Sequence, residues 1–216
     1  METIHFLHIS KTGGTAIKHA LQNAVLRENI HVEMHNHKTT LKDIPEGEKF
    51  IITLRDPIQR FISAFYSRKR KGKPRYYYEW SKIEKEIFTT FDTPNMLAEA
   101  IDTNNKHTTE RELALIAMHD IKHFAPLNQW CVSIEYFYKR IDDLYHICYQ
   151  ENLNSDFDKL KMKMDSPNIT LPTDDTSAHK NPKNLDKHIS SKAEKNLKAW
   201  YQDDYSLLEA IKRVYR

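Results

Sequence analysis

Two stretches place residues suited to holding anions at the ends of apolar runs. The first is "HISKTGGTAIKHAL", residues 8–21. A lysine supplies a point charge, paired glycines let a backbone approach closely, and threonines bring hydroxyls. The stretch overlaps the apolar run "TIHFLHI" (3–9). It leads into a segment with Ala16, Ile17, Ala20, Leu21, Ala24 and Val25 at helical spacing. Strand, turn and helix in that order aim the first N–H groups of a helix at an anion. Lys11, Thr12, Gly13, Gly14, Thr15 and Ala16 are therefore candidate anion ligands, with Thr12 and Thr15 as hydroxyl donors. A tight strand-to-helix turn without a ligand is the simpler alternative. The chain has only four glycines, and two stand side by side here, which indicates a backbone requirement. The Walker A pattern, G-x-x-x-x-G-K-[ST], has its lysine after the glycines; here Lys11 comes before them.

The second stretch is "KFIITLRDPIQRFISAFYSRKR", residues 49–70. "KFIITL" is a buried strand that stops at Arg55. Asp56 suits a helix N-cap and Pro57 the first helical position. Ser63 falls about two turns along that helix. An arginine at the carboxyl end of a strand reaches the crevice where open α/β sheets bind ligands, so Arg55 and Ser63 join the candidates. Arg60 fits a solvated or paired surface charge.

Between the two lies "MHNHKTTLKDIP" (34–45), with His35 and His37 just after a second, alternating strand "IHVEMH" (30–35). Histidine suits general-base work near neutral pH. His-x-His also permits a metal reading. Two ligands with no third at useful spacing make a weak zinc pattern.

Taken together, "HISKTGGTAI" and "LRDPIQRFISAFY" resemble the two nucleotide-binding elements of the sulfotransferases that use 3′-phosphoadenosine-5′-phosphosulfate (PAPS), especially the carbohydrate-type branch. The resemblance is strong over 4–70 and looser over 142–216. It implies that Lys11, with the N–H groups of Thr12 through Ala16, serves the 5′-phosphosulfate, and that Arg55 and Ser63 hold the 3′-phosphate. It implies a P-loop-like fold, release of PAP as product, and no metal. It also implies a base at His37, within a family-like pattern H-x-x-T-L-x-D-I-P, with His35 as second choice. Ser10 stands where the family commonly has proline, which would stiffen the turn and supply no contact.

The elements that must position these groups read as one α/β domain over 1–216, with a central, mainly parallel sheet flanked by helices. "DDLYHICYQ" (142–150) is a later strand and "NSDFDKLKMKM" a helix. "LAEAI" and "ERELALIAMHDI" are the clearest helical pieces of the middle region. Residues 166–189 form a long turn-rich loop, with His179, Lys180 and Asn181 as possible lid donors. Residues 190–215 close the chain as one or two helices.

Composition bounds the function. The chain has 216 residues, 39% hydrophobic and 29% charged, with a formal net charge of +3. That is ordinary for a globular domain, and an anion site must come from local clustering. Two cysteines do not make a disulfide framework, so a reducing compartment is expected. No apolar stretch approaches the ~18–20 residues of a membrane span, and no leader is expected ahead of the first strand. A cytoplasmic protein with no membrane partner is expected.

"RKRKGKPRYYYEW" (68–80) concentrates six basic residues and four aromatics. It reads as a solvated loop, as a rim stacking Tyr76–Tyr78 or Trp80 on an acceptor ring, or as a nucleic-acid surface. The function expected is sulfuryl transfer from PAPS to an acceptor hydroxyl, on a carbohydrate, without nucleic acid as partner. The alternatives are a P-loop-like small-molecule kinase and a non-catalytic nucleotide- or nucleic-acid-binding module.

Overall fold

The computed structural model describes residues 2–22, 24, 29–102, 108–174, 181–182 and 184–215. In chain order the elements are β1 (Glu2–Leu7), α1 (Gly14–Gln22), β2 (Ile30–Met34), β3 (Lys49–Leu54), α2 (Pro57–Lys69), α3 (Lys82–Thr90), α4 (Pro94–Ala100), α5 (Thr109–Asp120), α6 (Asn128–Cys131), α7 (Ile134–Lys139), β4 (Leu144–Tyr149), α8 (Leu153–Lys163), α9 (Ser191–Trp200) and α10 (Gln202–Val214). The described residues group into two compact units. One comprises Met1–Arg55, Leu127–Lys180 and Ala210–Arg216; the other comprises Asp56–Pro126 and Asn181–Glu209.

The first unit holds the sheet. Its strands are all parallel, in the order β2-β1-β3-β4. Parallel strands are covered on both faces, so they read as unbroken apolar runs. β3, "KFIITL", is buried at every position after Lys49. One sheet face carries Ile4, Phe6 and Ile51. It packs against Ile17, Ala20 and Leu21 of α1 and Phe157 and Leu160 of α8. Each of these isoleucine, leucine and phenylalanine side chains contributes about 1.5–3 kcal/mol on burial. On the other face Phe50 meets Phe137 of α7 edge-on, with ring centroids 6.1 Å apart. β2 alternates between half-buried and exposed residues, as an edge strand does. The chain leaves β1 for β2 on one side and later enters β3 on the other. The carboxyl ends of β1 and β3 therefore flank a topological switch point, where such sheets bind ligands.

Arg140 shows how the turn-rich stretch after β2 is fixed. Its guanidinium is buried and donates to the carbonyls of Leu41, Ile44 and Pro45 at 3.1, 2.9 and 2.8 Å, and to Asp143 at 2.5 Å. Cys131 and Cys148 are both buried. Burial pushes the Cys148 thiol up to about 12, so it is inert at neutral pH.

The second unit is helical. α2 begins as its sequence dictates, with the Asp56 carboxylate accepting from the Gln59 N–H at 2.9 Å and Pro57 in the first turn. Ile58, Phe61, Ile62 and Phe65 lie in one apolar cluster with Leu97, Leu113, Phe124 and Leu197. Arg60 corrects the expectation of a surface charge, because it is fully buried. Its Nη2 donates to the Ala125 carbonyl at 2.6 Å and to Asp204 Oδ2 at 3.3 Å, and the guanidinium lies over the Tyr201 ring at 5.6 Å. Breaking a buried pair by removing one partner leaves the other charge stranded at a cost of about 3–5 kcal/mol. Arg60→Met is therefore expected to lower the melting temperature by on the order of 10 °C. The double variant Arg60→Met/Asp204→Leu should recover most of that loss, as read by thermal denaturation.

Candidate active site

The turn between β1 and α1 is held open by backbone geometry. Lys11 has φ +65° and Gly13 φ +87°, both in the left-handed region that non-glycine residues rarely enter. A left-handed lysine persists only where its surroundings over-determine it. Here Arg55 Nη1 donates to the Lys11 carbonyl at 3.3 Å, so the arginine that ends β3 braces the loop that ends β1. Thr12 is fully buried. Its hydroxyl donates to the Ile9 carbonyl at 2.9 Å and meets the Thr53 hydroxyl at 2.6 Å. That hydroxyl ties the loop to β3, which corrects the expectation that it donates to a ligand. The Ala16 N–H closes on the Gly13 carbonyl at 3.1 Å. Helix geometry leaves Gly14 and Thr15 as the first-turn backbone donors of α1.

Gly14 has a steric reason. A Cβ there would stand 2.6 Å from Cδ2 of His8 and 3.3 Å from Cζ of Phe6, so the imidazole of His8 occupies the space a side chain would need. Ser10 is buried, and its Oγ has no hydrogen-bond partner among the described residues. A left-handed turn entering a helix N-terminus, with a buried hydroxyl left unpartnered beside it, fits a loop shaped to hold a phosphate-like group.

His37 reaches this loop. Its Nδ1–H donates to the His8 carbonyl at 2.9 Å, and its ring packs on the His8 ring with centroids 4.0 Å apart. Placing the proton on Nδ1 leaves the Nε2 lone pair as the basic position. The indole N–H of the buried Trp130 donates to the His37 carbonyl at 2.9 Å and fixes the backbone behind the ring. His37 is exposed overall, but its ring is partly desolvated where it packs on His8, and this lowers its pKa below the ordinary value; the bond to His8 works against this, and the charges of Lys11 and Lys18 reinforce it. Burial pushes His8 down to about 3, helped by His37 and Lys18, so His8 is a neutral packing element. Neither His8 nor Trp130 carried a functional signal in the sequence. His8 lies inside the first motif, but its role comes from contacts with residues some 30 positions away.

His35 goes elsewhere. Its Nε2 lies 2.8 Å from His5 Nδ1, and the two rings stack at 5.1 Å. Burial also lowers its pKa.

Ser63 lies on α2 in the helical unit and is half-buried. Asn181 Nδ2 donates to the Ser63 carbonyl at 3.3 Å, and Asn181 Oδ1 accepts from Arg70 Nη2 at 2.5 Å. Asn181 thus packs beside Ser63, while His179 and Lys180 lie outside the described residues. In the basic stretch, Arg68 makes a two-point pair with Glu84, both bonds 2.7 Å, and Lys69 pairs with Asp92 at 2.9 Å. Lys71 pairs with Glu79 and lies over the Trp80 ring at 4.7 Å. Lys73 and Arg75 lie over Tyr77 and Tyr76. These cations serve their own unit, while Tyr76, Tyr77 and Tyr78 remain exposed.

A parallel sheet, a glycine turn between β1 and α1, and an arginine at the end of the neighbouring strand define an α/β protein of the P-loop-like class. The family model described as "Sulfotransferase family" matches residues 2–216, and the chain belongs to that family. A search of curated proteins and a search of solved structures each found no match. Sulfuryl transfer to a hydroxyl-bearing acceptor is the activity this membership carries, and the family generally uses PAPS as donor. Among the described residues no helix is long and apolar enough to cross a membrane.

Proposed function

We propose that this sulfotransferase moves the sulfuryl group of PAPS to a carbohydrate hydroxyl, with His37 as general base and Lys11 at the departing phosphate. The observation that carries the reading is the hydrogen bond from His37 Nδ1–H to the His8 carbonyl beside the lysine turn. It sets the tautomer whose Nε2 can take a proton, and it does so on the loop that carries Lys11. In the reaction the acceptor oxygen forms a bond to sulfur as the bond from sulfur to the 5′-phosphate oxygen breaks. His37 Nε2 receives the acceptor proton. Lys11, with the backbone donors of Gly14 and Thr15, stabilises the charge that develops on the phosphate. Arg55 and Ser63 are assigned to the 3′-phosphate, an assignment that follows the resemblance of "LRDPIQRFISAFY" to the family's element. The carbohydrate acceptor follows the resemblance of these elements to the carbohydrate-type branch.

The test is thermal stabilisation by PAP, by ADP with Mg²⁺ and by a short oligonucleotide. A ligand at a hundred times its Kd stabilises by about 2.7 kcal/mol, and only PAP is expected to do so. Stabilisation by ADP with Mg²⁺ alone would favour a kinase. Salt-sensitive stabilisation by the oligonucleotide alone would favour a binding module. Arg55→Ala is expected to reduce the preference for PAP over AMP by at least tenfold. An unchanged preference would remove Arg55 from the 3′-phosphate.

A further inference from the structure

The sequence pairs His35 with His37 as a weak zinc pattern, but the structure pairs His35 with residues of β1 and β2. His5 Nδ1 lies 2.8 Å from His35 Nε2 and 3.5 Å from Glu33 Oε2. The three donor atoms all fall within 4.8 Å of one another. Around one tetrahedral Zn²⁺ with bonds of about 2.0–2.2 Å, donors stand roughly 3.3–3.6 Å apart, so only a small adjustment separates this cluster from a first coordination sphere. We propose that His5, Glu33 and His35 form a binding site for one zinc-class divalent cation, separate from the Lys11 turn.

Five features argue for it. Two ring nitrogens at 2.8 Å must share either a hydrogen or a cation. The far nitrogen of His5, Nε2, is bonded to the Glu48 carboxylate. A carboxylate there holds the proton on Nε2 and aims the Nδ1 lone pair into the cluster, the usual arrangement behind a metal-bound histidine. His5 is buried, while His35 is half-buried and Glu33 exposed, so the site has both a rigid floor and an entry path. Two imidazoles and one carboxylate select Zn²⁺ and its neighbours over Ca²⁺ or Mg²⁺, which want oxygen ligands. Lys18 and Asp43 add charges of opposite sign near His35, so the surroundings are not uniformly repulsive to a cation. Three protein ligands leave a fourth position for water.

The consequence is mechanical. Among the described residues β2 is an edge strand paired only to β1. The segment after it carries His37. A cation bridging His5 on β1 to Glu33 and His35 would fix that segment two residues before the proposed base.

The test is calorimetric titration of the tag-free, chelator-treated chain with ZnSO₄ in a non-coordinating buffer, with Co²⁺ absorption as a second readout. One Zn²⁺ per chain and an intense tetrahedral Co²⁺ spectrum are expected. Glu33→Gln and His35→Ala should each weaken binding by at least tenfold. Glu48→Gln, which acts through His5, should weaken it by about 10–100-fold. Their folding is checked by melting of the metal-free variants; Glu33 and His35 are used because buried His5 could unfold the chain when replaced. His37→Ala should leave Zn²⁺ affinity unchanged. Failure of the wild-type chain to bind stoichiometrically would overturn the proposal. So would binding that survives Glu33→Gln and His35→Ala, or that depends on His37.

Discussion

Lys11→Met lowers kcat by about 10²–10³-fold, the cost of removing one fixed donor from developing charge, while the chain keeps its fold. The prediction separates side chain from backbone. The Arg55 contact that braces the turn is made to the Lys11 carbonyl, which methionine also supplies. The left-handed φ of +65° is no harder for an unbranched methionine than for lysine. The loss therefore belongs to the ammonium group. A second effect is coupled to it. The Lys11 charge helps hold the His37 pKa below its ordinary value, so its removal lets that pKa rise. The acid limb of the residual pH–rate profile should move to higher pH. Steady-state kinetics of both forms across pH 5–8 check the two effects together, and unchanged kcat would place the departing charge elsewhere.

His37→Ala is expected to lower kcat by about 10²–10⁴-fold and to leave PAP binding intact. The base must be neutral to accept a proton. Activity should be full above the lowered His37 pKa and should fall as pH drops through it, on the acid side of the ordinary histidine value of 6.5. Replacement by alanine should remove that limb from whatever turnover remains, and added imidazole should restore part of the rate. Turnover retained with its acid limb in place would move the base to His35 or to a carboxylate.

Much of the scaffold was legible because it is written locally. "KFIITL" is a strand over the predicted 49–54, and "IHVEMH" shows its alternation as the edge strand β2. Asp56 and Pro57 start α2 as a capping residue and a first-turn proline should. "SSKAEKNLKAWYQDDYSLLEAIKRVY" divides into two helices, with Tyr201 between them. The paired glycines announced a backbone need that the φ of Gly13 and the crowding at Gly14 explain. What stayed hidden depends on partners far along the chain. Nothing near Arg60 indicates that Asp204 will bury it. The Thr12 hydroxyl turns inward because Thr53 stands on the neighbouring strand. His35 and His37 look equivalent in sequence, one residue apart after the same strand. They differ because one ring meets His5 and the other meets His8, and only the β1–β2 pairing decides which.

The most direct test of the central claim is transfer of ³⁵S label from PAPS to a panel of desulfated polysaccharides and small sugars. The account predicts label in at least one carbohydrate, PAP released in equal amount, and both signals lost together in Lys11→Met. Label found on no hydroxyl acceptor, or released only as free sulfate at the same rate in wild type and Lys11→Met, would contradict it.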